Sequence, residues 1–452
     1  MGTRRVQHPL PSPAAAALAA RVQAAVGRPR AGIAVAFSGG LDSSVLLHLL
    51  VAAGIPRLRA LHVNHGLHAD AAHWAAFCAG RCASLGVPFT ALEVRVGSPV
   101  GQGLEAAARI ARYSALRGVL RRGELLATAH HADDQAETVL LNLLRGSGVT
   151  GLGGIPPRAP FGTGTLVRPL LDVARSVLAA YAAAAGLSWL DDPMNDDDAL
   201  GRNYLRHEVL PLVEARWPGA RATIGRGAAL AAESARLVDA LAELDARRAA
   251  RAGRLAIAAL RRLDEPRQRN LLRFICLREL GSAPPLERLR SGLAQLLTAA
   301  PDRQPLLAWP GGEVRRYRDE LWVLPVTAPL PGVAGPLAAR AGAAVGLGSA
   351  GTLALGRSRR GGLAVDQLPP TLRIAFRTGG ERLRLPGARQ HRDLGKLLQE
   401  RGVVPWMRER IPLLYAGDTL VAVADLWIAA EFAAPPGVAG LRVRWSDHPP
   451  LR

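Results

Sequence analysis

Between Gly32 and about Leu144, short apolar runs alternate with stretches of helical spacing. The runs Ile33–Phe37, Leu58–Val63, Phe89–Val94 and Leu125–Ala129 have strand length, and the segments between them repeat apolar residues three and four apart. This alternation predicts βαβ units and therefore a parallel sheet covered by helices on both faces. Each run ends in polar or glycine residues, which fall at the carboxyl edge of such a sheet. Open α/β sheets bind their ligands at that edge.

Further along, the pattern changes. A Gly/Pro-rich bend (Gly146–Pro160) interrupts it, and a helical stretch with an acidic loop (Asp191–Asp198) follows. From about Ala220 to Ala300 the chain is rich in Ala, Leu and Arg, with helical spacing and few strand signals. Pro, Gly and Ala dominate Thr327–Gly362; after it, Leu372–Phe376, Leu413–Tyr415 and Thr419–Val423 read as strands flanking a helix. The expected organisation is a Rossmann-like α/β parallel-sheet domain (1–216), a mainly helical basic domain (217–330), and a linker with a small α+β C-terminal domain (331–452).

Composition narrows the partners. The 452 residues are 49% hydrophobic, enough for sizeable cores, and 57 basic against 37 acidic side chains leave a net charge of +20. Such an excess points to a polyanion, with nucleic acid ahead of a membrane surface. It is concentrated in residues 221–365, with 23 basic and 12 acidic side chains, against 21 and 16 in residues 1–220. Lys396 is the one lysine, so nearly all of the positive charge is arginine. Three cysteines exclude a disulfide scaffold and a four-cysteine zinc ribbon. The N-terminal MGTRRVQHPLPSP has no apolar signal core, and no run of about 18 apolar residues offers a membrane span. A soluble, cytoplasmic protein without a membrane partner is expected.

The strongest chemical signal is Ser38-Gly39-Gly40-Leu41-Asp42-Ser43, between the first strand and a helix running through Leu50. Glycines let the backbone turn tightly and bring amide N–H groups close to an anion, and the helix start adds free N–H groups and a positive dipole end. Ser38 and Ser43 supply hydroxyls. Asp42 repels phosphate unless a cation lies between, which points to Mg²⁺ on this carboxylate. The pattern is neither the Lys-containing P-loop nor G-x-G-x-x-G. It resembles the loop of the PP-loop ATP pyrophosphatases, which cleave ATP between the α- and β-phosphates and adenylate a carbonyl-type oxygen.

Further motifs sit at the same edge: Leu61-His62-Val63-Asn64-His65-Gly66-Leu67, and Thr128-Ala129-His130-His131-Ala132-Asp133-Asp134-Gln135-Ala136-Glu137-Thr138. Arg168-Pro169-Leu170-Leu171, Asp192-Pro193-Met194-Asn195 and Arg202-Asn203-Tyr204-Leu205-Arg206 follow, and later Gly379-Gly380-Glu381-Arg382 and Asp393-Leu394-Gly395-Lys396. In this order the set is similar to the tRNA(Ile)-lysidine synthetase family, over most of 30–215 and 370–430. The resemblance implies an ATP-dependent carbon–nitrogen ligase. Its partners would be L-lysine and an isoleucine tRNA with a CAU anticodon, with a homodimer left open. It implies that Ser38, Gly39, Gly40, Leu41, Asp42 and Ser43 bind ATP. Asp42, Asp133, Asp134, Arg202 and Arg206 would be catalytic, and Asn64, His65, His131 and Glu137 would contact substrate or nucleotide.

The residue types support that chemistry without settling it. An attacking amine must lose a proton, which Asp133, Asp134 or Glu137 can accept, and at helical spacing Asp133 and Glu137 face the same way. The same aspartates also suit a helix cap. Arg202 and Arg206 can stabilise phosphate charge or form a solvated pair. His130 is either a nucleotide contact or packed. Cys78 and Cys82 read as buried helix residues, the alternative being sulfur transfer as in tRNA-thiolating relatives. A small-molecule amide or nucleotide synthetase of the same superfamily is a further alternative.

Overall fold

The structure is a computed structural model that describes residues 12–66, 70–95, 104–191, 201–300, 303–326, 328–330 and 335–451. The Asp192-Pro193-Met194-Asn195 motif lies outside the described residues, as does most of the acidic loop. The chain forms two compact units, residues 1–238 and 239–452.

The first unit runs α1 (Pro13–Val26), β1 (Ile33–Ala36), α2 (Leu41–Ala52), β2 (Leu58–Asn64), α3 (Ala71–Ser84), β3 (Phe89–Glu93), α4 (Leu104–Val119), β4 (Leu125–Ala127) and α5 (Ala132–Leu144). After these come α6 (Val149–Leu152), β5 (Arg158–Phe161), β6 (Gly164–Val167), α7 (Arg175–Ala184), α8 (Gly201–Tyr204), α9 (Leu210–Arg216) and the first part of α10 (Ala220–Ala249), whose residues from 239 on belong to the second unit. Among the described residues its sheet has the order β3-β2-β1-β4-β6-β5. All neighbours pair in parallel except β5 with β6. Strand order reverses between β1 and β4. A crevice opens at such a switch point, because the connections leaving the two strands diverge to opposite sides.

The four expected strands are present, and their alternation explains the layers. Ile33, Val35, Leu125 and Ala127 enter one core with α1, α2 and α7 residues such as Val22, Leu46 and Leu178. Ala34 and Leu126 point to the other side, against Leu116, Leu120 and Phe161. Successive side chains on a strand point to opposite faces, so buried neighbours in sequence mean a sheet covered on both sides. Where the sequence pattern suggested only a bend, the chain forms α6 and begins the hairpin β5–β6, which extends the sheet.

Under this sheet Glu124, 1% exposed, accepts from Arg59 Nε and Nη2 at 2.7 and 2.6 Å and from the Arg121 N–H at 2.9 Å. Burial pushes its carboxyl up, but Arg59 and the Arg121 amide outweigh burial and hold it below the usual range. Glu124→Ala leaves the Arg59 guanidinium without its anion and is expected to cost about 2 kcal/mol in urea unfolding. A depressed folded-state pKa adds stability above the unfolded-state value, so this contribution disappears as pH falls below roughly 4. The difference between wild type and variant should therefore shrink in acid; a constant gap from pH 7 to pH 3 would contradict the assignment.

In the second unit the helical reading holds for Glu265–Leu280 and Leu286–Thr298. To these the structure adds a five-stranded antiparallel sheet contributed by 250–251, 254–256, 306–309, 312–317 and 320–324, which covers Leu271, Ile275, Leu293 and Leu296. The C-terminal part carries the three expected strands in one antiparallel sheet, as Thr371–Phe376, Pro412–Ala416 and Thr419–Val423. The helix Leu394–Glu400 is capped by Asp393, which accepts from the Lys396 N–H. Among the described residues no helix is long and apolar enough to cross a membrane.

Candidate active site

The turn from β1 to α2 is built as the glycines allow. Gly39 has φ +87°, and a Cβ there would meet Cys78 Sγ at 2.8 Å and Leu190 Cδ1 at 3.0 Å, so a side chain is excluded twice. Gly40 caps α2 without any side-chain bond, leaving the first-turn N–H groups open. Ser43 Oγ donates to Gly40 O and lies 3.0 Å from Ser38 Oγ; Leu190 N donates to Gly39 O at 2.9 Å. The turn thus presents amides and two hydroxyls around one point, the geometry of an anion cradle.

A cavity of about 550 Å³ opens over this turn, between the ends of β1, β2 and β4. Ser38, Gly40, Leu41, Asp42 and Ser43 line it, as do Asn64, His65, His130, Asp134, Arg202 and Arg206. Gly39, His131, Asp133 and Glu137 do not; they stand behind the wall. Sequence reasoning missed Arg109, Arg112 and Tyr113 of α4, Trp74 of α3 and Arg175 of α7, which also line the cavity. The signal available for α4 was arginines at helical spacing, indistinguishable from a solvated face.

Asp42 lies in the first turn of α2, and its Oδ1 is buried without a hydrogen-bond partner. The nearest cations are His131 Nε2, 3.6 Å from Oδ2, and Arg175 Nε, 3.9 Å from Oδ1. His131 also faces Asp134 at 3.5 Å and Asp133 at 3.6 Å. Burial pushes the imidazole down, but the surrounding carboxylates outweigh it and raise it to about 9, so it carries a proton at neutral pH. His130 beside it goes the other way: burial lowers it to about 4, and its Nδ1 lies 2.9 Å from Thr128 Oγ1. At β2, His62 Nδ1 bonds Phe37 O at 3.0 Å, and Asn64 Oδ1 accepts from the Gly66 N–H.

The α5 carboxylates divide differently from the sequence expectation. Asp133 and Glu137 do not act on the same partners; Asp134 and Glu137 do. Arg202 Nε donates to Glu137 Oε2 and Arg206 Nε to Glu137 Oε1, both at 2.7 Å, while their Nη2 atoms lie 3.3 and 3.4 Å from Asp134 Oδ1. Glu137 is fully buried. Asp134 is both cap and cavity residue: Oδ2 accepts from the His131 N–H at 3.0 Å, and Oδ1 faces the arginines. Burial would raise it, yet His131 and Arg202 hold it below the ordinary carboxylate range, so it stays ionised. The helix carrying the arginines contains a π turn at Leu205–Val209, with Leu210 N donating to Leu205 O.

Cys78 and Cys82 are buried, as expected, and burial pushes their thiols up to about 12 and 11. Neither is a thiolate at neutral pH, which a sulfur-transfer role requires. Among the described residues no group of three or more His, Cys, Asp or Glu forms a metal cage.

Sheet order, glycine turn and cavity together define a PP-loop nucleotide-binding protein, and the PP-loop domain family model matches residues 14–213. Two further models match, the TilS substrate binding domain over 255–322 and the TilS substrate C-terminal domain over 372–445. The tRNA(Ile)-lysidine synthase of Alkalilimnicola ehrlichii is 44% identical, covering 94% of this chain and 96% of its own. That of Pseudomonas aeruginosa is 42% identical, covering 93% and 94%. A solved U34-tRNA thiolase from Methanococcus maripaludis aligns over 49% of this chain and 79% of its own, at 21% identity and a TM-score of 0.41. The chain belongs to the tRNA(Ile)-lysidine synthase family.

Proposed function

We infer that this protein ligates L-lysine to the wobble cytidine of the CAU anticodon of isoleucine tRNA, at the expense of ATP, in the cytoplasm. The carrying observation is that the anion cradle and the Asp134–Arg202–Arg206 cluster open onto one cavity in a member of this family. In the first step the cytidine carbonyl oxygen attacks the α-phosphorus of ATP and pyrophosphate leaves. In the second a lysine amine attacks the adjacent ring carbon, AMP leaves with that oxygen, and the amine loses a proton. The modified base then changes codon reading from AUG to AUA.

The residues take distinct parts in this scheme. Ser38, Ser43 and the amides of Gly39 to Asp42 hold phosphate oxygens. Asp42 would hold Mg²⁺: its buried Oδ1 lacks a donor, and a single carboxylate plus phosphates is the usual way a protein keeps this ion. Bound there, the ion would neutralise phosphate charge. Asp134, ionised and facing the cavity, receives the lysine ammonium and can accept its proton. Arg202 and Arg206 balance Asp134 and Glu137 and can turn towards phosphate charge as it develops. Asn64 and His65 at the end of β2 border the nucleotide side, and His131 at the cap of α5 stands behind them, beside Asp42. We also propose domain boundaries near 216 and 330; the segments matched by the three family models fall within them. The basic middle block supports tRNA binding through phosphates.

The test combines purified protein, ATP, labelled lysine and tRNA. Label should enter a tRNA with a CAU anticodon and no other; absence of transfer overturns the function. In the same assay Asp134→Asn is expected to raise the lysine requirement by roughly ten- to a hundredfold, the loss of one charged hydrogen bond, while ATP use changes less. Weakened ATP use with unchanged lysine dependence would move Asp134 to the phosphate site.

A further inference from the structure

Asp133 sits beside Asp134 in sequence but is turned out of the cavity. Its Oδ2 accepts from the Arg175 N–H at 2.9 Å, at the start of α7, and its Oδ1 lies 3.1 Å from Nε of Arg221, in the first turn of α10. Arg221 is tied a second time: Glu214 of α9 accepts from the Gly219 and Arg221 N–H groups at 2.8 and 3.3 Å. Three helix starts, of α5, α7 and α10, therefore meet at one carboxylate. Two of its neighbours lead on to Asp42. His131 faces Asp133 through Nδ1 and Asp42 through Nε2, each at 3.6 Å, and Arg175, whose amide Asp133 holds, reaches Asp42 with its guanidinium at 3.9 Å.

We propose that Asp133 is a positioning residue for the nucleotide half of the site, aligning the His131 ring and Arg175 beside Asp42 and pinning the first turn of α10 through Arg221. A proton acceptor for the amine must reach the cavity; Asp133 has both oxygens committed behind its wall. Arg221 thereby gains a part in catalysis although it lies outside the cavity. The inference rests on the reading that Asp42 serves ATP.

Steady-state kinetics of Asp133→Asn, Arg221→Gln and the double variant test it, with KM for ATP, KM for lysine and kcat measured separately in lysine transfer to tRNA. Each single variant should raise the ATP KM by about three- to tenfold and leave the lysine KM unchanged, since one partly exposed ion pair is lost. The double variant should be no worse than the worse single one, because both changes break the same link. A general loss of structure would lower the active fraction without separating the two KM values. A kcat loss of about a hundredfold in Asp133→Asn with a normal ATP KM, a raised lysine KM, or a silent Arg221→Gln would each overturn the proposal. Should Asp133→Asn not fold, Arg221→Gln decides by the same split. Wild type without lysine transfer would refute the function itself; wild-type transfer with unaltered ATP KM in the variants refutes only the positioning role.

Discussion

Asp42→Ala is expected to abolish ATP-dependent pyrophosphate release, by at least about a hundredfold, while the protein stays folded. The carboxylate lies on the first turn of α2, where its Oδ1 has no hydrogen-bond donor and its closest cations stand at 3.6 and 3.9 Å. Little native structure depends on it, because His131 keeps Asp134 and Asp133 as neighbours. Its proposed task is to hold a divalent ion against the phosphates, whose charge its own carboxylate would otherwise repel. Circular dichroism should show a melting transition within a few degrees of wild type, as for loss of a weak pair. Normal pyrophosphate release from such a folded variant would sink the assignment of the loop.

Glu137→Ala should act on stability first. The carboxylate is fully buried and takes three hydrogen bonds from Arg202 and Arg206, at 2.7, 2.7 and 3.1 Å. Removing it leaves two guanidinium groups to Asp134 alone, and breaking a buried ion pair in this way costs about 3–5 kcal/mol. For a unit of this size the melting temperature should fall by roughly ten degrees. Glu137→Gln, which keeps the shape and one acceptor oxygen, should lose less. An alanine variant as stable as wild type would mean that the arginines find other anions.

The parallel half of the fold was legible because its signal is local. Residues 33–36 and 125–127 are buried on both faces, so each strand reads as an unbroken apolar run ending at a glycine or polar residue. The strand Thr352–Ser358 was not legible: of its two partners, Ala344–Gly346 is only three residues long and Gly440–Ser446 lies almost ninety residues away, and TLALGRS carries no marked alternation. The site divides along the same line. Adjacent residues announced the loop and the α5 carboxylates, but not which carboxylate faces which arginine. Helical spacing paired Asp133 with Glu137, whereas the capping bond of Asp134 and the pull of Arg175 and Arg221 on Asp133 paired Asp134 with Glu137 instead. The charge surplus of the middle block likewise counts cations without showing their partners. Part of it is spent internally, as in Arg267 on the buried Asp245 at 2.6 Å.

The π turn at Leu205–Val209 makes the spacing of this helix a matter of chain length. A π turn holds one residue more than the regular coil around it. Deleting a single residue there would restore regular winding and leave the helix beyond nearly in place, while Arg206, inside the wide turn, would lose its present angle to Arg202. Insertions and deletions in homologous chains should therefore gather before Gly201 or after Arg216, and the count of residues from 202 to 210 should stay constant even where their identities drift.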